Sequence, residues 1–378
     1  MKNKELTTWE AACIITGYGI GAGVLSMPYV ADIVGFPASV VILILAFLAS
    51  YILHLMIAEL AIKTEDGGQI ISCLSRFLFR GKLKKVLSIS FFVLMALILC
   101  TNLATYIAAS EEIIIALIPV SALAAKLIFY VIAASVVFFG LKVVGISEKY
   151  AVSAIIALIA VLAAASVFAQ HNPINLRTGS VNQILAYFGL AMFAMSAFFS
   201  VPQAVEGLNK DKKKIKKAVF LGLGVNFMLI LVISFCALWA SARITEVAMV
   251  GWSEGIGLWA QLVGSIFTLL AMLTTYWSLS LALAGIIEEM TKLDSRLCWL
   301  IATLPSMILV LFELGDFMEL LRTAGGLIAI VVAVMVVPSY RNARREVPGG
   351  ILEKSGTGLE LIIVLAYLLM AVGSVVSY

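Results

Sequence analysis

Eleven stretches of mostly apolar residues, each about long enough to cross a bilayer as a helix, follow one another along the chain. They cover approximately 9–33, 37–62, 85–110, 122–141, 148–169, 183–207, 217–241, 257–289, 296–313, 317–338 and 357–377. The polar connections between them are short and leave no room for a soluble domain. One connection is patterned. Between Glu65 and Lys84, the residues Ile70, Ile71, Leu74, Phe77 and Leu78 recur at helical spacing beside Arg76 and Arg80. This spacing predicts an amphipathic helix lying at the inner membrane surface.

The polar interruptions also carry a direction. With the N-terminus cytoplasmic, 22 of the 26 Lys and Arg fall in inner segments, and only Lys126, Arg177, Arg243 and Arg322 fall outside. A missed or invented span would scramble that alternation. Tyr378 is then outside. The run Lys210–Lys217 anchors the inner side and attracts anionic lipid heads. The first apolar run lacks a cleavage site and reads as a mature helix. The expectation is a multi-pass protein of the cell membrane, with 1–378 forming one transmembrane unit.

Composition agrees with lipid as the solvent. The chain is 62% hydrophobic and 13% charged, with mean hydropathy +1.09, whereas a soluble domain carries about 25% charged residues. Only two histidines occur, His54 and His171, and the five cysteines (Cys13, Cys73, Cys100, Cys236, Cys298) form no CxxC pair. That argues against a zinc centre or a His-based triad and makes the cysteines apolar filler. There is no H-E-x-x-H set and no buried nucleophile with its base, so the chain is not expected to be an enzyme. Nothing calls for a cofactor, a nucleic acid or a protein partner; the expected partners are the lipid bilayer and a small molecule.

Two of the apolar runs are poor continuous helices. The first carries Gly17-Tyr18-Gly19-Ile20-Gly21-Ala22-Gly23 and then Ser26-Met27-Pro28; the sixth carries Met195-Ser196-Ala197-Phe198-Phe199-Ser200-Val201-Pro202. Glycine disfavours helix, and proline suits the first turn of a restarted one. Backbone released in a membrane must be surrounded by protein or a watery cavity. Interruptions at matching positions of two halves, in spans of opposite direction, mark a transporter site. The amides of Gly21, Ala22 and Gly23 suit a carboxylate. The carbonyl ends of the inner half of span one and the outer half of span six suit an ammonium. Together they describe a receptor for an amino acid. Close helix packing and a simple proline kink are the competing explanation for both motifs.

Gly21-Ala22-Gly23-Val24-Leu25-Ser26-Met27-Pro28 resembles the G-[ST]-G-[VIL]-L-x-[ML]-P signature of the amino acid/auxin permease branch of the amino acid/polyamine/organocation superfamily, with Ala22 in place of the commoner hydroxyl. Phe193 through Pro202 resembles the sixth helix of that branch and of the related aromatic amino acid permeases. The resemblance implies an all-α LeuT fold. Repeat one would run over 9–169 and an inverted repeat two over 183–338, with spans one and six broken and an extra helix at 357–377. It implies a secondary symporter for a neutral aliphatic or aromatic amino acid.

Residue by residue, the resemblance implies substrate contacts at Gly19, Gly21, Ala22, Gly23, Asn102, Tyr106, Phe193, Ser196 and Phe199, although helix packing explains the polar and aromatic members equally well. It implies a sodium site, the sodium being the coupling ion, from the carbonyls of Gly17, Ile20 and Ala271 and the hydroxyls of Thr274 and Thr275. Those threonines also suit bonds back to their own helix. Proton coupling is the alternative and needs a titratable group at depth. The fifth run, read over Ser153–Leu158, offers none, and His54 and Glu59 sit toward the inner end of span two. Asp32 and Arg322 are a candidate outer gate, with a local Glu319–Arg322 pair as the alternative. Glu10 with Lys4, and Glu288 and Glu289, are weaker inner candidates. A non-transporting amino acid sensor satisfies the same features.

Overall fold

A computed structural model describes residues 5–64, 68–312, 335–352 and 356–376, and their regular structure is all helical, with no strand among them. In chain order the helices are α1 Thr8–Gly19, α2 Ala22–Val34, α3 Phe36–Lys63, α4 Ile70–Phe77, α5 Lys84–Leu117, α6 Ala122–Phe138 and α7 Leu141–Ser166. There follow α8 Val181–Ala194, α9 Ser200–Gly207, α10 Lys212–Ala240, α11 Ala248–Ile256, α12 Leu258–Thr291, α13 Ser295–Leu311, α14 over 335–346 and α15 Thr357–Gly373. By length and apolar content α3, α5, α7, α10 and α12 each suffice to cross a membrane, and α1 with α2 makes a sixth crossing. Helices α6, α8, α13 and α15 are apolar but shorter. Most of the tenth run lies outside the described residues.

Local chemistry explains where several helices begin. Thr7 and Glu10 form a capping box at α1, Ser180 and Gln183 another at α8, and Asp211 caps α10. Gly35 turns the chain between α2 and α3 at φ 88°, and Gly140 does the same between α6 and α7 at φ 85°. Outward faces carry the large exposed apolar residues, such as Leu45, Val93, Val131 and Leu361, that lipid would cover.

The first apolar run is built as two helices. Ile20 and Gly21 separate α1 from α2, and the two axes differ by 58°. This pair sits at the centre of the fold: α1 packs against α7, α9, α10 and α12, and α2 against α8, α10 and α11. The sixth run is also in two pieces, α8 and α9, with Met195–Phe199 between them.

Three details depart from the sequence expectations. Helix α7 starts at Leu141, seven residues before the expected 148, because the turn from α6 needs only Phe139 and Gly140. Helix α11 was not expected at all; its nine residues are too few for a span. Finally, α4 does not lie free at the surface. Its apolar face (Ile70, Ile71, Leu74 and Phe77) is buried against α3, α5 and α12. Glu289 of α12 holds it in place, accepting hydrogen bonds from the Ser72 hydroxyl (2.5 Å) and the Gln69 amide (3.0 Å).

Candidate functional site

Four glycines of the first run, each two residues from the next, look in four directions. Positions two apart in a helix point to nearly opposite sides, and the 58° bend between α1 and α2 separates the later pair from the earlier one, so each glycine meets a different neighbour. A methyl group at Gly17 would collide with the Glu148 carboxylate of α7, and one at Gly19 with the Asn226 amide of α10. At Gly21 it would lie 2.5 Å from the Tyr106 hydroxyl of α5 and 3.0 Å from the Thr275 hydroxyl of α12. At Gly23 it would lie 3.1 Å from the Phe193 ring and 3.3 Å from Ala194, both of α8. The glycines are therefore required for close approach on every side.

Where these elements meet there is a cavity of about 30 Å³ lined by Tyr18, Gly19, Gly21, Gly23, Asn102, Tyr106, Phe193, Ala194, Ser196, Phe198, Thr275 and Leu279. Seven of the nine expected substrate residues line it. Phe199 does not: it turns toward Tyr18 with ring centroids 6.4 Å apart, and Phe198 takes the place at the cavity. Ala22 contributes no described side chain. The space holds about one water, so the walls must part to admit an amino acid. At the start of α2 the amides of Gly21, Ala22 and Gly23 have no acceptor within their helix. Asn102 donates its amide hydrogen to the Ile98 carbonyl at 2.9 Å, which leaves its Oδ1 as the acceptor on that side.

The interruption between α8 and α9 is held by side chains from other helices. Asn226 Nδ2 donates to the Ala194 carbonyl at 2.7 Å. The Ala197 amide donates to His54 Nε2 at 2.9 Å, and His54 Nδ1 donates to the Ser50 carbonyl at 2.6 Å. With Nε2 accepting, the imidazole is neutral. His54 therefore serves the break itself, a role its position in span two did not reveal. Replacing His54 by Leu orphans the Ala197 amide, and an unmatched buried donor costs about 1–3 kcal/mol. The expected result is a lower melting temperature in detergent for His54→Leu, with part of the loss recovered in His54→Gln, whose Oε1 is an acceptor.

The atoms expected around sodium are partly together. Thr275 Oγ lies 2.9 Å from the Gly17 carbonyl and 3.0 Å from that of Ala271, donating to them, and Thr274 Oγ donates to Ala271 at 2.9 Å. Ile20 stands at the end of α1, its amide donating to the Thr16 carbonyl. Both hydroxyls thus bond back to their own helix, and only Thr275 also bridges to α1.

The charged candidates resolve differently. Arg322, Glu319 and Lys4 lie outside the described residues. Asp32 is half-buried, and its backbone carbonyl accepts from Asn175. Glu10 pairs with Lys142 at 2.7 Å, tying α1 to α7. Glu288 accepts from the Ser295 hydroxyl at 3.0 Å. Glu59, toward the inner end of α3, is buried and accepts from Lys63, Arg344 and the amides of Ile351 and Leu352.

The fifth run does contain a buried titratable group, contrary to expectation. Glu148, on α7, is fully buried. It stands at the first position of the run at 148–169, before Ser153–Leu158, where Lys142 and Lys149 give its surroundings the look of a connection. The signal was present: Leu141, Val144, Glu148, Ala151, Val152, Ile155, Ile159 and Leu162 form one helical stripe, all of it buried.

Residues 4–375 match the tryptophan/tyrosine permease family. No curated protein sequence matches the chain. Among solved structures, the chain is similar to MHP1, a nucleobase-cation-symport-1 family transporter in a closed conformation with bromovinylhydantoin bound. The two share 13% identity and a TM-score of 0.69, over 98% of this chain and 91% of that one. The fold is therefore that of LeuT-type transporters.

Proposed function

The chain belongs to the tryptophan/tyrosine permease family, and on that premise we propose that it is a secondary symporter of an aromatic amino acid, L-tryptophan or L-tyrosine. The observation that carries this reading is the convergence of Gly19, Gly21 and Gly23 with Asn102, Tyr106, Phe193, Ser196 and Phe198 on one cavity. The α-carboxylate takes the free amides at the start of α2, between the Tyr106 and Thr275 hydroxyls. The α-ammonium takes carbonyls at the ends of α1 and α8. The ring lies among Tyr18, Phe193 and Phe198, with Asn102 Oδ1 accepting the indole N–H or the phenol O–H. A site that hydrogen-bonds such a group rejects an analogue lacking it, so phenylalanine is the informative competitor.

The substrate enters by alternating access around the two interruptions, with a monovalent cation supplying the drive. Sodium at Gly17, Ile20, Ala271, Thr274 and Thr275 is one source, and a proton is the other. The first-helix motif supports kinship with the amino acid/auxin branch, and the distribution of Lys and Arg supports a cytoplasmic N-terminus. Proteoliposomes holding the purified protein test the reading. Uptake of labelled tryptophan or tyrosine, competed by either and only weakly by phenylalanine, is the expected result. Binding without uptake under any cation gradient would replace the transporter by a sensor.

A further inference from the structure

Phe198 lines the cavity, and two side chains that do not line it stand behind its ring. One is His54 of α3, with ring centroids 5.3 Å apart. The other is Tyr367 of α15, with centroids 5.8 Å apart and planes inclined at 61°. All three side chains are fully buried. His54 is committed to the interruption between α8 and α9, because the Ala197 amide and the Ser50 carbonyl occupy both of its nitrogens. Tyr367 has no such duty. Its hydroxyl lies near that of Ser50, close enough to interact, but has no hydrogen bond among the described residues. What Tyr367 supplies is therefore the volume and shape of its ring.

The helix that carries Tyr367 is held at both ends. Near its start, Glu360 accepts from Arg341 Nε of α14 at 2.7 Å. At its end, a methyl group on Gly373 would collide with the Leu185 carbonyl of α8 and lie 3.0 Å from the Gly189 amide nitrogen. The closeness is mutual, since a methyl group on Gly189 would lie 2.8 Å from the Gly373 backbone. Helix α15 also packs against α3. The ring at 367 thus stands on a fixed frame. The cavity, about 30 Å³, holds about one water, so an aromatic side chain enters only if part of the wall retreats. Close-packed interiors leave little slack behind a buried ring. Phe198 can withdraw only as far as His54 and Tyr367 allow.

We propose that Tyr367 sets how far Phe198 withdraws and so limits the size of the aromatic side chain that the site accepts. It is a positioning residue: it touches no substrate and acts through Phe198. The inference deepens the aromatic amino acid reading above and rests on it. Trimming Tyr367 gives Phe198 room and should favour the bulkier indole of tryptophan over the phenol of tyrosine. Removing only the hydroxyl keeps the ring in place and breaks no hydrogen bond, so it should leave that preference alone.

Isothermal titration of the full chain in detergent gives the ratio of tryptophan to tyrosine affinity, and melting gives the stability. Tyr367→Leu, and the more severe Tyr367→Ala, should raise the ratio by at least about fivefold, less than the largest effects of altering a pocket wall directly, whereas Tyr367→Phe should stay within about twofold of wild type. Ile363→Ala opens a void on the same buried stripe of α15, one turn earlier, and should lower the melting temperature without moving the ratio. In a Phe198→Ala background, Tyr367→Leu has nothing to act through and should leave the ratio where Phe198→Ala alone puts it. An unchanged ratio in Tyr367→Leu overturns the proposal. So does an equal shift in Tyr367→Phe or Ile363→Ala, or a further shift beyond Phe198→Ala. Each of these leaves the aromatic amino acid reading standing. Wild type that binds neither amino acid overturns that reading and the inference with it.

Discussion

Gly21→Val should weaken substrate binding by about 10- to 100-fold, the equivalent of roughly 1–3 kcal/mol of overpacking. The first atom of any side chain at this position arrives 2.5 Å from the Tyr106 hydroxyl and 3.0 Å from that of Thr275. It also fills the seat proposed for the substrate carboxylate. The two effects can be separated. In Gly21→Ala, adding Tyr106→Phe removes the atom nearest the new methyl group and should restore thermal stability. Binding should stay weak, because the methyl group still occupies the seat and the phenol hydroxyl is gone. Isothermal titration with tryptophan gives the affinity, and melting in detergent gives the stability. Wild-type affinity in Gly21→Val would remove the first break from the site.

Glu59→Leu should be the most destabilising of the charge-removing variants, by about 3–5 kcal/mol, the range for breaking a buried ion pair. Glu59 is 1% exposed and accepts from Lys63 Nζ at 2.8 Å, Arg344 Nε at 2.8 Å and the Ile351 amide at 2.9 Å. Removing it strands Lys63, whose side chain is itself 5% exposed, together with two backbone amides. Arg344→Ala should cost less, because Glu59 keeps Lys63 and the amides. Chemical or thermal unfolding of both variants checks the order. Equal losses would mean that the Arg344 contact, rather than the carboxylate hub, holds the segment after α14 against α3.

Much of this architecture was legible because lipid imposes so strong a pattern. Most of the apolar runs coincide with helices to within a few residues, and Gly17 to Gly23 announced its own irregularity. What the sequence hid were partnerships across long separations. His54 reads as an inner-end residue until Ala197, 143 positions later, turns out to need an acceptor. Phe198 and Phe199 are adjacent and chemically identical, so only the path of the chain after Met195 decides which one reaches the cavity. Glu148 is hidden for a different reason: two nearby lysines make the start of a buried stripe resemble a loop. The stripe of Leu141, Val144, Val152 and Ile155 outweighs the lysines, because a helix accommodates charges on one side without surrendering the other.

The four-way glycine contacts also bear on how the chain is made. Gly17 to Gly23 leave the ribosome before α5, α7, α8, α10 and α12, yet their bare backbone faces side chains at positions 106, 148, 193, 226 and 275. Until those helices have entered the bilayer, Gly17 to Gly23 has nothing to pack against and little side-chain hydrophobicity to hold it in lipid. The lining of the cavity at this break is thus complete only when α12, which brings Thr275 and Leu279, is in place.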